Sequence, residues 1–140
     1  QGIRKWTDTR LKEKMAYLTR IVPIPQLQQA IFYLSFRNTK DYTELTIIAL
    51  AAAILEKTRE DYQAYIMIDG LNAKERSLIL KGLRERGIKQ RKLIGGRDES
   101  HALLRLADAM AGFIRDYEEG ESYAQDLYRR FTDQYIITKL

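Results

Sequence analysis

The sequence predicts an α/β fold, and three neighbouring observations carry that prediction. Residues 65–69 (YIMID) form an apolar run too short for a helix, and Gly70 ends it, as expected of a central strand finishing on a carboxylate. Asn72 followed by Glu75 has the spacing of a capping box, which opens a helix over 73–86 that Gly87 closes. Residues 88–94 then supply a second strand. Strand, helix and strand within about thirty residues make a βαβ unit over 64–94, and its strands are parallel. Both strands therefore end on one edge of the sheet. That edge brings Asp69 and the loop Gly95-Gly96-Arg97-Asp98-Glu99 together, where open α/β sheets hold their sites.

The other elements follow from periodicity and breakers. Residues 3–22 read as a helix with Leu11, Met15, Leu18 and Val22 on its inner stripe, ended by Pro23 and Pro25. In 30–36, Phe32, Leu34 and Phe36 alternate with Ile31, Tyr33 and Ser35, the period-two pattern of a strand covered on both faces. Residues 38–41 offer cap chemistry to a helix over 42–57 whose alanine and aliphatic content predicts extensive burial. A helix starting near Ser100 places Leu103, Leu106, Ala107, Met110, Ala111 and Ile114 on one apolar stripe. After Gly120, a last helix turns Tyr123, Leu127, Phe131, Tyr135 and Ile136 inward.

Length and composition bound the remainder. The 140 residues, 45% of them hydrophobic, form one domain able to bury a core. The absence of cysteine excludes a disulfide framework and a thiolate zinc site, and leaves a reducing compartment, the cytoplasm, as the default. The longest apolar run, 45–55, is too short for a bilayer, which needs about 20 residues, so no membrane-spanning segment is expected. The chain opens on Gln1 without an initiator methionine or a leader, which suggests a fragment or a processed product.

Charge alternates in blocks. Residues 1–40 and 73–97 carry net charges of +6 and +7, whereas 41–72 and 98–140 each carry −4. Within the second basic block, Lys81, Arg84, Lys89, Arg91, Lys92 and Arg97 are candidates for tracking a phosphate backbone, in keeping with a pI near 9.4. The same residues also suit a solvated helix face beside a charged edge strand, since few aromatics interleave with them.

The acidic residues at the shared edge are the candidate chemistry. Carboxylates held close together cannot all ionise cheaply without a cation, and hard oxygen donors select Mg²⁺ or Mn²⁺ over zinc. Asp69, Asp98, Glu99 and Asp108 are the candidate ligands, with Asp69 and Asp108 the candidate catalytic pair. At roughly 100° per residue, Asp108 lies about 140° from Leu103, at the border of the apolar stripe. That position suits a metal ligand, and it equally suits an ion pair with Arg105 or Arg115. Asp98 and Asp108 are separated by about 15 Å of helix, so one of them is structural, and Asp98 suits the cap. No P-loop, GxGxxG, HExxH or nucleophile elbow is present, and the lone His101 reads as exposed or hydrogen-bonded.

Three stretches, IMIDGLNAKERSLILKGLRERGIK, GGRDESHALLRLADAMAGFIRD and EGESYAQDLYRRF, resemble the C-terminal portion of the domain of unknown function 3800 family. The resemblance covers most of residues 30–135. It implies an RNase H-like three-layer fold, a sheet flanked by helices, with a metal-dependent nuclease site of acidic residues. By position, Asp69 matches the acid ending the family's fourth strand, Asp108 the acid of its leucine-alanine-aspartate helix, and Ser100 the serine before that helix. Nothing matches the family's opening aspartate-bearing strand, so the N-terminal strands of such a fold are lacking here.

Two functions are expected from this. One is a divalent-metal-dependent nuclease using Mg²⁺ or Mn²⁺ to hydrolyse nucleic-acid phosphodiesters. The other is a catalytically inert module that binds nucleic acid or a protein partner. A strand edge left open by the lacking region would also favour a homodimer.

Overall fold

The structure, a computed structural model, describes residues 5–58, 60–96 and 101–140. Within them lie five α-helices and four short strands, in a mixed α/β arrangement. A 3-10 turn, Trp6–Asp8, precedes α1 (Leu11–Ile21), and a second, Pro25–Leu27, leads into β1 (Ile31–Tyr33). Then come α2 (Tyr42–Lys57), β2 (Ala64–Asp69), α3 (Ala73–Glu85) and β3 (Gln90–Gly96). The chain closes with α4 (Ala102–Glu118), α5 (Ser122–Asp133) and β4 (Ile137–Lys139).

The βαβ unit is present as expected. The β2 and β3 strands are parallel, with Ile66 opposite Leu93 and Asp69 opposite Gly96, so both end at the same edge. The Asn72 side chain accepts the Glu75 backbone N–H at 2.8 Å and caps α3, and Gly87, at φ +74°, takes the left-handed turn that ends it. Asp41 caps α2 in the same way, accepting the Glu44 N–H at 3.1 Å.

The sheet differs from the single flanked one expected. The described strands form two separate two-stranded parallel sheets, β1 with β4 and β2 with β3. The β4 strand comes from the residues that follow α5. The predicted last helix would have carried Tyr135 and Ile136 inward together. Instead α5 stops at Asp133, Tyr135 is 71% exposed, and Ile136 is buried just before β4 begins.

Two cores result. One gathers Trp6, Leu18, Phe113, Leu127, Phe131 and Ile136 around α1, α4 and α5. The other gathers Ile47, Ile66, Ile79, Leu83 and Leu93 between α2, α3 and the β2–β3 sheet. The α2–α3 approach is close enough that a Cβ on Gly82 would lie 2.5 Å from Ile47 Cδ1. Only Ile47 and Ala51 of α2 are fully buried, and Leu55 is 56% exposed, so the extensive burial expected of this helix is confined to one stripe.

Two helices also sit rotated from their predicted stripes. In α1, Leu18, Ile21 and Val22 are buried but Leu11 and Met15 are exposed. In α4 the buried set is Leu104, Ala109, Met110, Gly112, Phe113, Ile114 and Asp116, and Leu103 is 68% exposed. The cause is Trp6, which docks against the far side of α4 rather than continuing α1. Gly112 admits it, because a Cβ there would lie 2.5 Å from the indole Cγ. Gly112→Ala is therefore expected to destabilise the fold, overpacking at about 1–3 kcal/mol outweighing a helix-propensity gain of about 1 kcal/mol. Trp6 is the only tryptophan, so a red-shifted emission in the variant would report its displacement, and an unshifted spectrum at unchanged stability would contradict this packing.

Candidate functional site

The two predicted catalytic acids reach the same short segment from different elements. Asp69 closes β2, is exposed, and pairs with the Lys5 ammonium at 3.7 Å. Asp108 lies half-buried on α4, and its Oδ2 accepts the Trp6 backbone N–H at 3.4 Å. Lys5 and Trp6 are consecutive, so one short segment supplies an ammonium to Asp69 and an amide N–H to Asp108. Of the two expected ion-pair partners, Arg105 and Arg115, Arg115 is exposed and makes no salt bridge among the described residues.

The tryptophan spans a second carboxylate. Its indole Nε1 donates to Asp116 Oδ2 at 3.2 Å, Lys14 Nζ donates to the same oxygen at 3.3 Å, and the Tyr123 hydroxyl donates to it as well. Lys14 also lies 5.3 Å from the Trp6 ring centroid, in cation–π range. Burial alone would push the Asp116 carboxyl up, but the hydrogen bonds from Tyr123, Trp6 and Lys14 outweigh it and hold the group below the ordinary carboxylate range. Tyr123 is pushed up, first by burial and then by donating to that carboxylate. Asp116 was not among the predicted site residues. Nothing local marks it, since two of its three partners, Trp6 and Lys14, lie over a hundred residues away in the chain.

The other predicted residues divide. Asp98, Glu99 and Arg97 lie outside the described residues, as does the Arg91 side chain. His101 holds the N-cap position expected of Asp98, its Nδ1 accepting the Leu103 N–H at 3.2 Å. Lys89 is engaged by Asp61 at 2.6 Å, an exposed pair. Lys81 and Arg84 stand exposed on α3. Leu93 packs into the core with Ile79 and Leu83 of α3, whereas its neighbour Lys92 lines a hollow with His101 of α4. Lys92 and the α3 pair thus occupy opposite faces of the β2–β3 sheet, so these three described residues do not make one continuous track.

Asp69 and Asp108 fit a hydrated Mg²⁺ or Mn²⁺ by donor chemistry. Such an ion is held by one or two carboxylates and keeps most of its water. Among the described residues, no three His, Cys, Asp or Glu side chains gather as a metal-binding group. No described helix is long and apolar enough to cross a membrane. Comparison with protein-family models, with curated proteins and with solved structures found no match to the chain.

Proposed function

We propose that the chain carries the metal-holding acids of a divalent-metal-dependent nuclease of RNase H-like type. The observation behind this reading is that Asp69, at the carboxyl end of a parallel strand, and Asp108, on α4, both meet the Lys5-Trp6 segment. An ammonium and an amide N–H mark the place as one that attracts positive charge. Asp69 and Asp108 would hold Mg²⁺ or Mn²⁺, which when bound polarises a phosphodiester oxygen and activates water. Lys5, half-exposed beside Asp69, is placed to steer a phosphate towards the acids. Lys92 would contact the nucleic-acid backbone from the neighbouring hollow.

The test is cleavage of labelled DNA, RNA and hybrid duplexes with Mg²⁺ or Mn²⁺. Loss of a group that only supports a metal ligand costs about 10–100-fold, so Asp69→Asn and Asp108→Asn are each expected to reduce cleavage by about a hundredfold or more. Unchanged cleavage in either variant would remove that residue from the site.

A second reading is favoured by the same contacts. If the Lys5 ion pair and the Trp6 N–H are themselves the partners these acids require, the chain is an inert binding module. It then binds no Mg²⁺ or Mn²⁺, and any hold on nucleic acid weakens steeply with salt.

A further inference from the structure

Two strand edges stand open over α4. Among the described residues β1 pairs only with β4, and β2 only with β3. A hollow of about 360 Å³ is bordered by Tyr65, Ile66 and Met67 of β2 with Lys92 and Ile94 of β3, and another of about 320 Å³ by residues 30–33. Consecutive strand residues point to opposite faces, so a hollow touching three or four in a row touches the strand's edge. Leu103 and Ala107 of α4 line both hollows, which therefore meet on one floor. That floor is the apolar stripe the sequence predicts as buried, and Leu103, Ala107 and Ala111 are exposed on it.

The charges are arranged as if these edges were interior. Exposed edge strands are guarded by charged residues or proline. The β3 strand carries Arg91 and Lys92, and β4 carries Lys139. By contrast β1 (IFY) has no charge, and β2 (AYIMID) has none before its final Asp69. The unguarded pair, β1 and β2, borders the cleft, and β3 reaches it only through Lys92 and Ile94.

Its ends are basic. Lys92 borders one end, and Arg37 and Arg115 border a continuation of about 580 Å³ past Tyr33, Ala111 and Ile114. None of the three makes a salt bridge among the described residues. Glu118 at that end is held by Lys139 at 3.6 Å, which leaves Glu119 against two arginines. From His101 to Arg115 the floor runs about 21 Å, the length of roughly six extended residues.

We propose that this cleft receives a single strand of about six residues from another polypeptide chain, apolar in its middle and acidic at its ends. Backbone hydrogen bonds to β1 and β2 would hold it, the α4 stripe would take its side chains, and the three basic residues would take its ends. The inference shares Lys92 and its hollow with the nuclease reading but uses neither Asp69 nor Asp108, so loss of metal binding in those variants leaves it standing.

The experiment titrates isotope-labelled protein with a synthetic peptide of valine, isoleucine and threonine bounded by aspartates. Amide signals of β1, β2 and α4 are expected to shift. N-methylation of alternate peptide amides is expected to weaken binding by at least about tenfold, as loss of several backbone hydrogen bonds requires. Lysine-ended peptide should bind more weakly at low salt, and Ala107→Arg, at an exposed position, should abolish binding while the thermal midpoint stays unchanged. No shift at millimolar peptide would overturn the proposal. So would equal binding of the N-methylated peptide, which would indicate a helix or a non-specific apolar ligand. Self-association that shifts the same signals without peptide would assign the cleft to a second copy and also overturn it.

Discussion

Asp116→Ala is expected to destabilise the protein by about 3–5 kcal/mol, because it leaves the Lys14 ammonium in the interior without its counter-ion. The pair is well shielded, with side-chain exposures of 11% for Asp116 and 15% for Lys14. The Trp6 indole and the Tyr123 hydroxyl would lose their acceptor at the same time. Thermal unfolding should register a fall of roughly 10–20 °C. The wild type should show a matching pH dependence. The folded carboxyl titrates below the ordinary value of 3.8, so its contribution is complete above that pH and disappears as pH falls through the lowered folded value. Asp116→Ala should flatten the acid limb of the stability curve. A variant with wild-type stability and an unchanged acid limb would show that the network contributes nothing.

Phe113→Ala is expected to cost about 3–5 kcal/mol as well, by a different route. Phe113 is fully buried, its ring 5.4 Å from Phe131 and 6.4 Å from Tyr123, centroid to centroid, so truncation opens a cavity where α4 meets α5. Leu103→Ala, on the open side of the same helix, should change stability by no more than about 0.5 kcal/mol. The contrast is measurable by urea denaturation with unchanged slopes. Equal losses at the two positions would mean that α4 buries the stripe predicted from sequence and not the one centred on Phe113.

That contrast also marks the boundary of what the sequence makes legible. Local chemistry is read well: α2 spans 42–57 and α3 opens on Asn72, because a cap and an apolar period act within a few residues of each other. The parallel βαβ unit follows from the same local signals and a general rule of connection. What depends on distant partners is not legible. The β4 strand is three residues long and exists only because β1 is beside it. The rotation of α4 is set by Trp6, and Trp6 leaves the predicted first helix to pack against Gly112 and Asp116.

The candidate site divides along the same line. Asp69 at a strand end and Asp108 at a stripe border are both visible as acids in informative places. Their partners, Lys5 for Asp69 and Trp6 for Asp108, are not, since no spacing rule links residue 5 or 6 to residue 69 or 108. Asp98 and Glu99 remain candidates from the sequence alone, and the cap position that Asp98 was expected to fill belongs to His101.

The most direct test of the central proposal is Mn²⁺ binding by calorimetry on the folded protein, with Asp69→Asn and Asp108→Asn measured beside it. Binding by the wild type that is lost in both variants is the expected result, because each substitution keeps the shape and removes one charge from a shared site. A folded wild type that takes up no Mn²⁺, or a variant that binds it as the wild type does, would contradict the proposal that these two carboxylates hold a metal together.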